Sequence, residues 1–244
     1  MKIGILGAGS IGKTLVQRLS AAGHDVKIAN SRGPEPISAD TPSSGGRAVT
    51  AQDAVVDVDV VIVSIPFYRN PEVAPLLAGL SAETVIIDTS NYYPARDSVI
   101  EAIKAGQVES LWASERFGRQ IIKAWNAILS QTLLEGAQES GAPGRIAIPI
   151  AGDDEAAKAV VAGLVSDSGF DAVDARPLAD SWRFQPGTPA YCTDLTAQEV
   201  TLALAQAVKE RAPENRDRIM QSMMDGEVPM KRIEMVANNR TLSI

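Results

Sequence analysis

Short apolar runs alternate with helix-like patterns through most of the chain. After the first apolar run, Ile11, Leu15 and Leu19 fall on one helical face, and Gly23 follows where a left-handed residue commonly ends a helix. This alternation predicts parallel βαβ units with right-handed crossovers. Strands are predicted near residues 2–6, 25–30, 59–65, 84–88, 120–124 and 146–150, with weaker candidates near 47–49 and 171–173.

The strand pattern fades after Pro177, where apolar residues at helical spacing, such as Leu195 and Leu202, take over. We therefore predict an α/β fold with a doubly wound, mostly parallel sheet and a small helical C-terminal domain. The predicted domains are residues 1–178, which contain the candidate nucleotide site, and residues 179–244, which form a helical cap and dimerisation domain.

A glycine-rich turn joins the first predicted strand to the first predicted helix. In dinucleotide-binding turns of this type, the first glycine permits a tight turn and the second lets the backbone approach the pyrophosphate. The third glycine lets the helix pack closely on the sheet, and the helix N-terminus offers N–H groups to the phosphates. The glycine pattern indicates a dinucleotide site only where a strand precedes it and a helix follows it, as predicted here. It predicts a dinucleotide site that includes Gly7, Gly9, Ser10, Ile11 and Gly12.

The second predicted strand ends at Asn30, where NAD enzymes usually place an acidic residue on the ribose hydroxyls. An acid there would repel a 2′-phosphate, whereas Ser31 can donate a hydrogen bond and Arg32 can bind phosphate through its fork of N–H groups. The three residues therefore favour NADP over NAD. The Pro-, Ser- and Gly-rich segment 33–46 that follows is predicted to be a mobile loop that closes over the 2′-phosphate.

Composition narrows the classes of function. The 244 residues are 45% hydrophobic, as in ordinary soluble enzymes, and a net charge of −7 disfavours nucleic acid and anionic membranes as partners. His24 is the only histidine and Cys192 the only cysteine, so metal ligands are few and no metal site is predicted. The chain contains no apolar stretch long enough to span a membrane and begins with a strand pattern, so we expect a cytoplasmic protein.

Loops after the next three strands of the predicted main sheet should meet the nicotinamide, because ligands of doubly wound sheets lie beyond the carboxyl ends of the strands. These loops combine small polar groups with aromatic rings, a mixture suited to a small-molecule site. The cofactor-binding candidates that they supply are Ser64, Ile65, Pro66, Asn91, Trp125 and Asn126.

Taken together, the motifs resemble those of the coenzyme F420-dependent NADP oxidoreductase family, to which the cytosolic domains of STEAP metalloreductases are distantly related. The resemblance implies a Rossmann domain, a small C-terminal domain, homodimerisation, and hydride transfer between NADP and a planar acceptor, which is a deazaflavin in the archaeal members. It rests on the stretches Gly7 to Gly12, Asn30 to Glu35, Ser64 to Pro66, Lys123 to Asn126, Ala151 to Glu155 and Asp174 to Leu178.

The motif set therefore predicts an NADP(H)-dependent oxidoreductase whose small-molecule redox substrate is a flavin-like or deazaflavin acceptor, such as coenzyme F420. Deazaflavin-using members carry a histidine near the place of Asn126, and the segment around Tyr191 also differs from theirs. Three candidates could take part in catalysis: Lys123, Asn126 and Tyr191, the first and last as proton donors. One alternative is an NADPH-dependent carbonyl or imine reductase similar to pyrroline-5-carboxylate reductases or β-hydroxyacid dehydrogenases. Another is a non-catalytic NADP redox sensor.

Overall fold

The main sheet is built from the parallel strands β1 Lys2–Leu6, β2 Asp25–Ala29, β3 Arg47–Ala48, β4 Val60–Val63, β5 Val85–Asp88 and β6 Ile122–Lys123. Their order in the sheet is β3-β2-β1-β4-β5-β6. The computed structural model describes residues 1–38, 45–225 and 231–242. The order reverses between β1 and β4, so the crevice for a ligand opens above the carboxyl ends of these two strands. The predicted doubly wound architecture is confirmed.

The last two predicted strands form a small parallel sheet of their own, with β7 at Ala147–Ile150 and β8 at Asp171–Asp174. An antiparallel bridge between Lys123 and Ala151 joins this sheet to β6. Both backbone hydrogen bonds of that bridge are formed, at 2.8 and 3.1 Å. Because the bridge is antiparallel, β7 does not extend the main sheet as another parallel strand.

The first helix, α1 at Ser10–Ala21, ends as the sequence predicts. Gly23 has a φ of 91°, and the N–H groups of Gly23 and His24 donate to the carbonyls of Ser20 and Leu19. This pattern closes the last turn of the helix. The remaining α-helices are α2 Glu35–Ser38, α3 Ala51–Ala54, α4 Asn70–Ala78, α5 Pro94–Asp97, α6 Glu101–Lys104, α7 Glu109–Phe117, α8 Ser130–Glu135, α9 Glu155–Asp167, α10 Ala197–Gln206, α11 Ala212–Met224 and α12 Arg232–Leu242.

Helices cover both faces of the main sheet, which explains why its central strands are almost continuously apolar. On one face Leu15 and Leu19 of α1 pack with Trp125 in a single buried cluster. On the other face Phe67 and Trp112 stack with ring centroids 5.0 Å apart. No helix in the described ranges combines the length and apolar content that crossing a bilayer would need.

The C-terminal region is helical, as predicted. It contains α10, α11 and α12 together with 3-10 helices at Leu178–Phe184 and Lys209–Arg211. Val200, Ala203 and Leu204 of α10 belong to a buried cluster that also includes residues of β7. The domain boundary between residues 178 and 179 stays a prediction.

Candidate cofactor site

The turn from β1 into α1 has the geometry that a dinucleotide requires. Gly7 has a φ of 118°, and a Cβ atom on Gly12 would lie only 2.0 Å from the carbonyl oxygen of Gly7. A Cβ on Gly9 would meet no heavy atom within 4 Å. Gly7 and Gly12 are therefore required by the turn and its packing, whereas the space beside Gly9 is left for a group from outside the chain.

The first turn of α1 is suited to an anion. It begins with Ser10 and Ile11, and Gly9 caps the helix without a side-chain hydrogen bond. The backbone N–H groups of this turn therefore have no capping side chain as a partner and can donate to a phosphate.

A cavity of about 520 Å³ lies beside this turn and beyond the ends of β2 and β4. Its volume is in the range of small-molecule sites. Three loops that are distant in sequence therefore converge on one cavity. The sequence-predicted residues that line it are Gly7, Gly9, Asn30, Ser31, Arg32, Ser64, Ile65 and Pro66.

Asn30 shapes the loop after β2. Its Oδ1 atom accepts a hydrogen bond of 2.7 Å from the backbone N–H of Arg32. This local bond fixes the turn so that Ser31 and Arg32 line the cavity. The segment predicted as a loop over the 2′-phosphate includes α2, and its residues 39–44 lie outside the described part of the chain.

Arg69 also lines this cavity, although it is not among the residues predicted from the sequence. It ends a 3-10 helix, Phe67–Arg69, and its Nη1 atom donates to Ser31 Oγ at 3.3 Å. Its Nε and Nη2 atoms donate to Glu72 Oε2 at 2.9 and 2.7 Å. The hydrogen bond from Arg69 lowers the pKa of the Glu72 carboxyl, so this acid stays ionised and holds the guanidinium in place. The available signal was an arginine three residues after the Ser64-Ile65-Pro66 loop.

The amides of Asn91 and Asn126 meet beyond the carboxyl ends of β5 and β6. Asn126 Nδ2 donates to Asn91 Oδ1 at 3.2 Å, and Asn91 Nδ2 donates to the Asn126 carbonyl oxygen at 2.9 Å. Within the described residues, Asn126 Oδ1 is buried and has no hydrogen-bond partner. A buried unpaired acceptor is costly, and it is the kind of group that a bound ligand satisfies.

Trp125 does not offer its ring to this site. The residue has a φ of 55°, which turns the chain so that Asn126 faces Asn91 while the indole enters the core. The side chain is 1% exposed, and its Nε1 atom donates to Ser168 Oγ at 3.3 Å. The predicted contact between this ring and the cofactor therefore has no support in the structure, because the indole completes the hydrophobic core.

Lys123 forms a buried ion pair with Asp88 in which the two charged atoms lie 2.7 Å apart. Its side chain is 3% exposed, and its ammonium also donates to the carbonyl oxygen of Ser90. Asp88 in turn accepts from the N–H and the hydroxyl of Ser90. This network favours a role for Lys123 in holding the loop after β5, since the ammonium is already engaged by protein groups.

Tyr191 reaches the same loop from the C-terminal region. Its hydroxyl lies 2.5 Å from the hydroxyl of Tyr93 and accepts from Asn91 Nδ2 at 3.4 Å. Burial is the main cause that raises the pKa of both phenols above their ordinary value, so both remain protonated at neutral pH. The side chains of the predicted catalytic candidates Asn126 and Tyr191 are thus both hydrogen-bonded to the side chain of Asn91.

His24 lies away from this site. Its Nδ1 contacts the N-terminal amino group at 3.2 Å and its Nε2 contacts Asp167 at 3.0 Å. Across the described ranges, no group of three or more His, Cys, Asp or Glu side chains could hold a metal ion.

Comparison with known proteins connects this geometry to a family. Residues 2–92 match the family described as NADP oxidoreductase, coenzyme F420-dependent. The protein YjhV of Escherichia coli (strain K12) is 38% identical over 104 residues, which are 42% of this chain and 75% of YjhV. The solved structure of the hypothetical protein SMa0349 from Sinorhizobium meliloti is 31% identical, with a TM-score of 0.67 over 80% of this chain and 95% of that one.

The chain belongs to the F420-dependent NADP oxidoreductase family. It is therefore an NADP-dependent oxidoreductase, and the non-catalytic sensor is left without support. The metalloreductase STEAP3 of Rattus norvegicus is a more distant relative, 28% identical over 181 residues, which are 74% of this chain and 35% of STEAP3.

The family match ends at residue 92, and this limit divides the site. The glycine turn, the loop after β2 and Arg69 fall inside the match, whereas Asn126 and Tyr191 fall outside it. If NADP, the cofactor of this family, is bound here, its pyrophosphate would fit the open space at Gly9. Its 2′-phosphate would fit beside Ser31, Arg32 and Arg69. The residues that line the cavity beside the glycine turn thus fall within the family match, whereas the amide pair includes one residue, Asn126, that lies beyond it.

Proposed function

We propose that this oxidoreductase transfers hydride between NADP(H) and a flavin-like or deazaflavin acceptor such as coenzyme F420. The observation that carries the proposal is the Asn91–Asn126 amide pair. It lies at the same edge of the sheet as the cavity of about 520 Å³ beside the glycine turn, which we call the NADP cavity. Hydride transfer between two stacked rings needs proximity and orientation more than a strong acid or base. A neutral pair of amides suits that requirement.

The residues of the chain would bind and orient the two reactants. When bound, NADPH supplies the hydride, and the protein holds it by its phosphates at the glycine turn and the loop after β2. Asn126 Oδ1 can accept a hydrogen bond from an amide N–H, which would satisfy the acceptor that is unpaired in the described structure. The Lys123–Asp88 pair keeps the loop that carries Asn91 in place.

Kinetic assays with a panel of acceptors test the proposal. NADPH oxidation is measured with coenzyme F420, FMN, FAD and riboflavin, and NADH serves as the alternative donor with each. We expect turnover with at least one ring acceptor and a preference for NADPH. If no ring acceptor supports NADPH oxidation, the proposal is wrong.

A variant at the amide pair adds a second test. Asn126→Ala should lower kcat with the ring acceptor, because it removes an amide that we assign to orienting the reactants. Gln131→Ala on α8 is the matched amide control, since Gln131 is exposed and its Nε2 atom donates to Glu135 at 3.2 Å, outside the site. The control should keep the activity of the unmodified protein, and an equal loss in both variants would argue against a role for the amide pair.

One observation favours a second candidate function, reduction of a carbonyl or imine. The Tyr191 hydroxyl stays protonated because burial raises its pKa, and it lies within hydrogen-bond distance of Asn91 Nδ2 and of the Tyr93 hydroxyl. It could therefore donate a proton to a substrate beside the amide pair. In that case Tyr191→Phe should abolish turnover of a carbonyl or imine substrate. If ring acceptors are the substrates, the same variant should keep most of its activity.

A further inference from the structure

A second cavity, of about 470 Å³, lies beside the loop that follows β5. Its walls come from that loop, from the start of α7 and from the C-terminal helix α11. The volume is in the range of small-molecule sites. The lining residues that matter here are Tyr92, Pro94, Val108, Glu109, Gln185 and Arg216.

The chain places this cavity next to the amide pair of the candidate site. Tyr92 directly follows Asn91, and Gln185 directly follows Phe184, whose carbonyl oxygen accepts from Asn126 Nδ2 at 3.1 Å. Two lining residues of the cavity are therefore direct sequence neighbours of Asn91 and Phe184, both of which take part in the hydrogen bonds of the amide pair.

Glu109 is a buried carboxylate that the proposed reaction has not used. The residue is 4% exposed, and its Oε2 atom accepts from the backbone N–H of Tyr92 at 3.1 Å. Among the described residues, no other hydrogen bond to this carboxylate is formed, so one oxygen is left for a group in the cavity. Burial raises the pKa of Glu109 to about 7, against the opposing effect of Lys123 and Arg216.

Arg216, a residue of α11, lies near the Glu109 carboxylate. Its Nε and Nη2 atoms bind Asp217 at 2.8 Å, and its guanidinium carbon lies 5.8 Å from the centre of the Tyr92 ring. Gly187 allows α11 to come this close, because a Cβ atom there would lie 2.1 Å from the carbonyl oxygen of Ala212. The cavity thus combines an acceptor, a cationic donor and apolar walls.

We propose that this cavity holds the second substrate by the amide or imide edge of a flat ring. Glu109 accepts a hydrogen bond from a ring N–H, Arg216 donates to a neighbouring carbonyl, and Tyr92, Pro94 and Val108 contact the apolar part of the ring. The inference rests on the proposed function, since it places the acceptor beside the nicotinamide. Flavin and deazaflavin rings carry such an edge, with one N–H between two carbonyls.

Equilibrium binding of riboflavin and 3-methylriboflavin tests this inference, because the methyl group removes the ring N–H and leaves the carbonyls. Binding is measured by fluorescence quenching in the presence of NADP⁺, so that no turnover is needed. We expect methylation to weaken binding to the unmodified protein about tenfold or more, the scale of a charge-assisted hydrogen bond. Glu109→Gln should weaken riboflavin binding and reduce the penalty of methylation, because a neutral amide oxygen accepts a weaker hydrogen bond from the ring N–H than a carboxylate does.

Glu83→Gln, an exposed site at the other end of β5, is the matched control and should behave as the unmodified protein does. NADP⁺ affinity should be the same in all three proteins, which shows that the variants are folded. Absence of riboflavin binding, or binding that responds to neither change, overturns the inference. Absence of NADPH oxidation with every ring acceptor overturns the proposed function instead, and the binding result then still decides the role of Glu109.

Discussion

Replacing Arg69 with alanine should weaken NADPH binding while leaving NADH binding nearly unchanged. Arg69 lies in the NADP cavity, where Nη1 contacts Ser31 and Glu72 holds the other two nitrogens. The two hydrogen bonds from Arg69 to Glu72 fix the guanidinium before the cofactor arrives. A positioned cation beside Ser31 and Arg32 is expected to bind the 2′-phosphate, which NADH lacks.

The size of the effect follows from the exposure of the guanidinium. A hydrogen bond to a charged group contributes about 1.5–3 kcal/mol. The Arg69 side chain is 32% exposed, so solvent screening places the loss near the lower limit. A loss of about 1.5 kcal/mol corresponds to an increase of roughly tenfold in the Kd for NADPH. The difference should shrink as salt is added, because the cavity is open to solvent.

Titration calorimetry with NADPH and with NADH measures both affinities. Arg47→Ala is the matched control, because Arg47 on the edge strand β3 pairs with Asp25 at the start of β2 at 2.7 Å and does not line the cavity, and its loss changes the net charge equally. The control should leave both affinities unchanged. Equal losses for NADPH and NADH in Arg69→Ala would refute the reasoning, since they would show that Arg69 contacts the part that both cofactors share.

Three further outcomes are expected. Lys123→Met should lower the free energy of unfolding in urea by about 3–5 kcal/mol, because Asp88 would be left as an uncompensated buried charge. Gly9→Ala should weaken NADPH binding with no change in melting temperature, since the new Cβ enters open space where we place the cofactor. Gly163→Ala is the control: its Cβ also meets no protein atom, and NADPH binding should stay intact. Folding raises the pKa of Glu109 from 4.5 to about 7, so the folded state holds this proton more tightly than the unfolded state does. The free energy of unfolding therefore falls as the pH rises from about 4.5 to about 7. Glu109→Gln should therefore gain stability relative to the unmodified protein over this window, by up to about 3 kcal/mol, as urea unfolding at several pH values would show.

Much of the fold could be predicted because its signals are local. The apolar runs predicted the central strands of the main sheet, since strands covered on both faces are nearly continuously apolar, whereas the short edge strand β3 matches one of the weaker candidates. The glycine turn and the end of α1 were predictable for a similar reason, because positive φ angles at Gly7 and Gly23 select glycine. The separation of β7 and β8 from the main sheet was not predictable, since strand order depends on a bridge between Lys123 and Ala151 that leaves no local pattern.

The candidate site was predictable to the extent that it follows from the ends of strands. Asn91 and Asn126 were found in this way, because the carboxyl ends of parallel strands share one edge. The direction of a side chain was harder to predict, and Trp125 turns into the core because its backbone is left-handed. Arg69 lies on the 3-10 helix after β4, and Glu109 begins α7, which α5 and α6 separate from the end of β5, so the place of both residues at the cavities depends on tertiary packing.

Transfer of deuterium from 4-deuterated NADPH to a deazaflavin tests the central claim most directly, because the carbon that receives the hydride retains the label. The reduced ring is analysed by mass spectrometry after reaction in ordinary water and, in parallel, after reaction of unlabelled NADPH in deuterated water. We expect one deuterium to reach the ring carbon from one face of the nicotinamide and none to reach it from the solvent. A reduced ring that carries no label from NADPH, or NADPH that is not oxidised by any ring acceptor, would show that the protein does not transfer hydride from NADPH to such a ring.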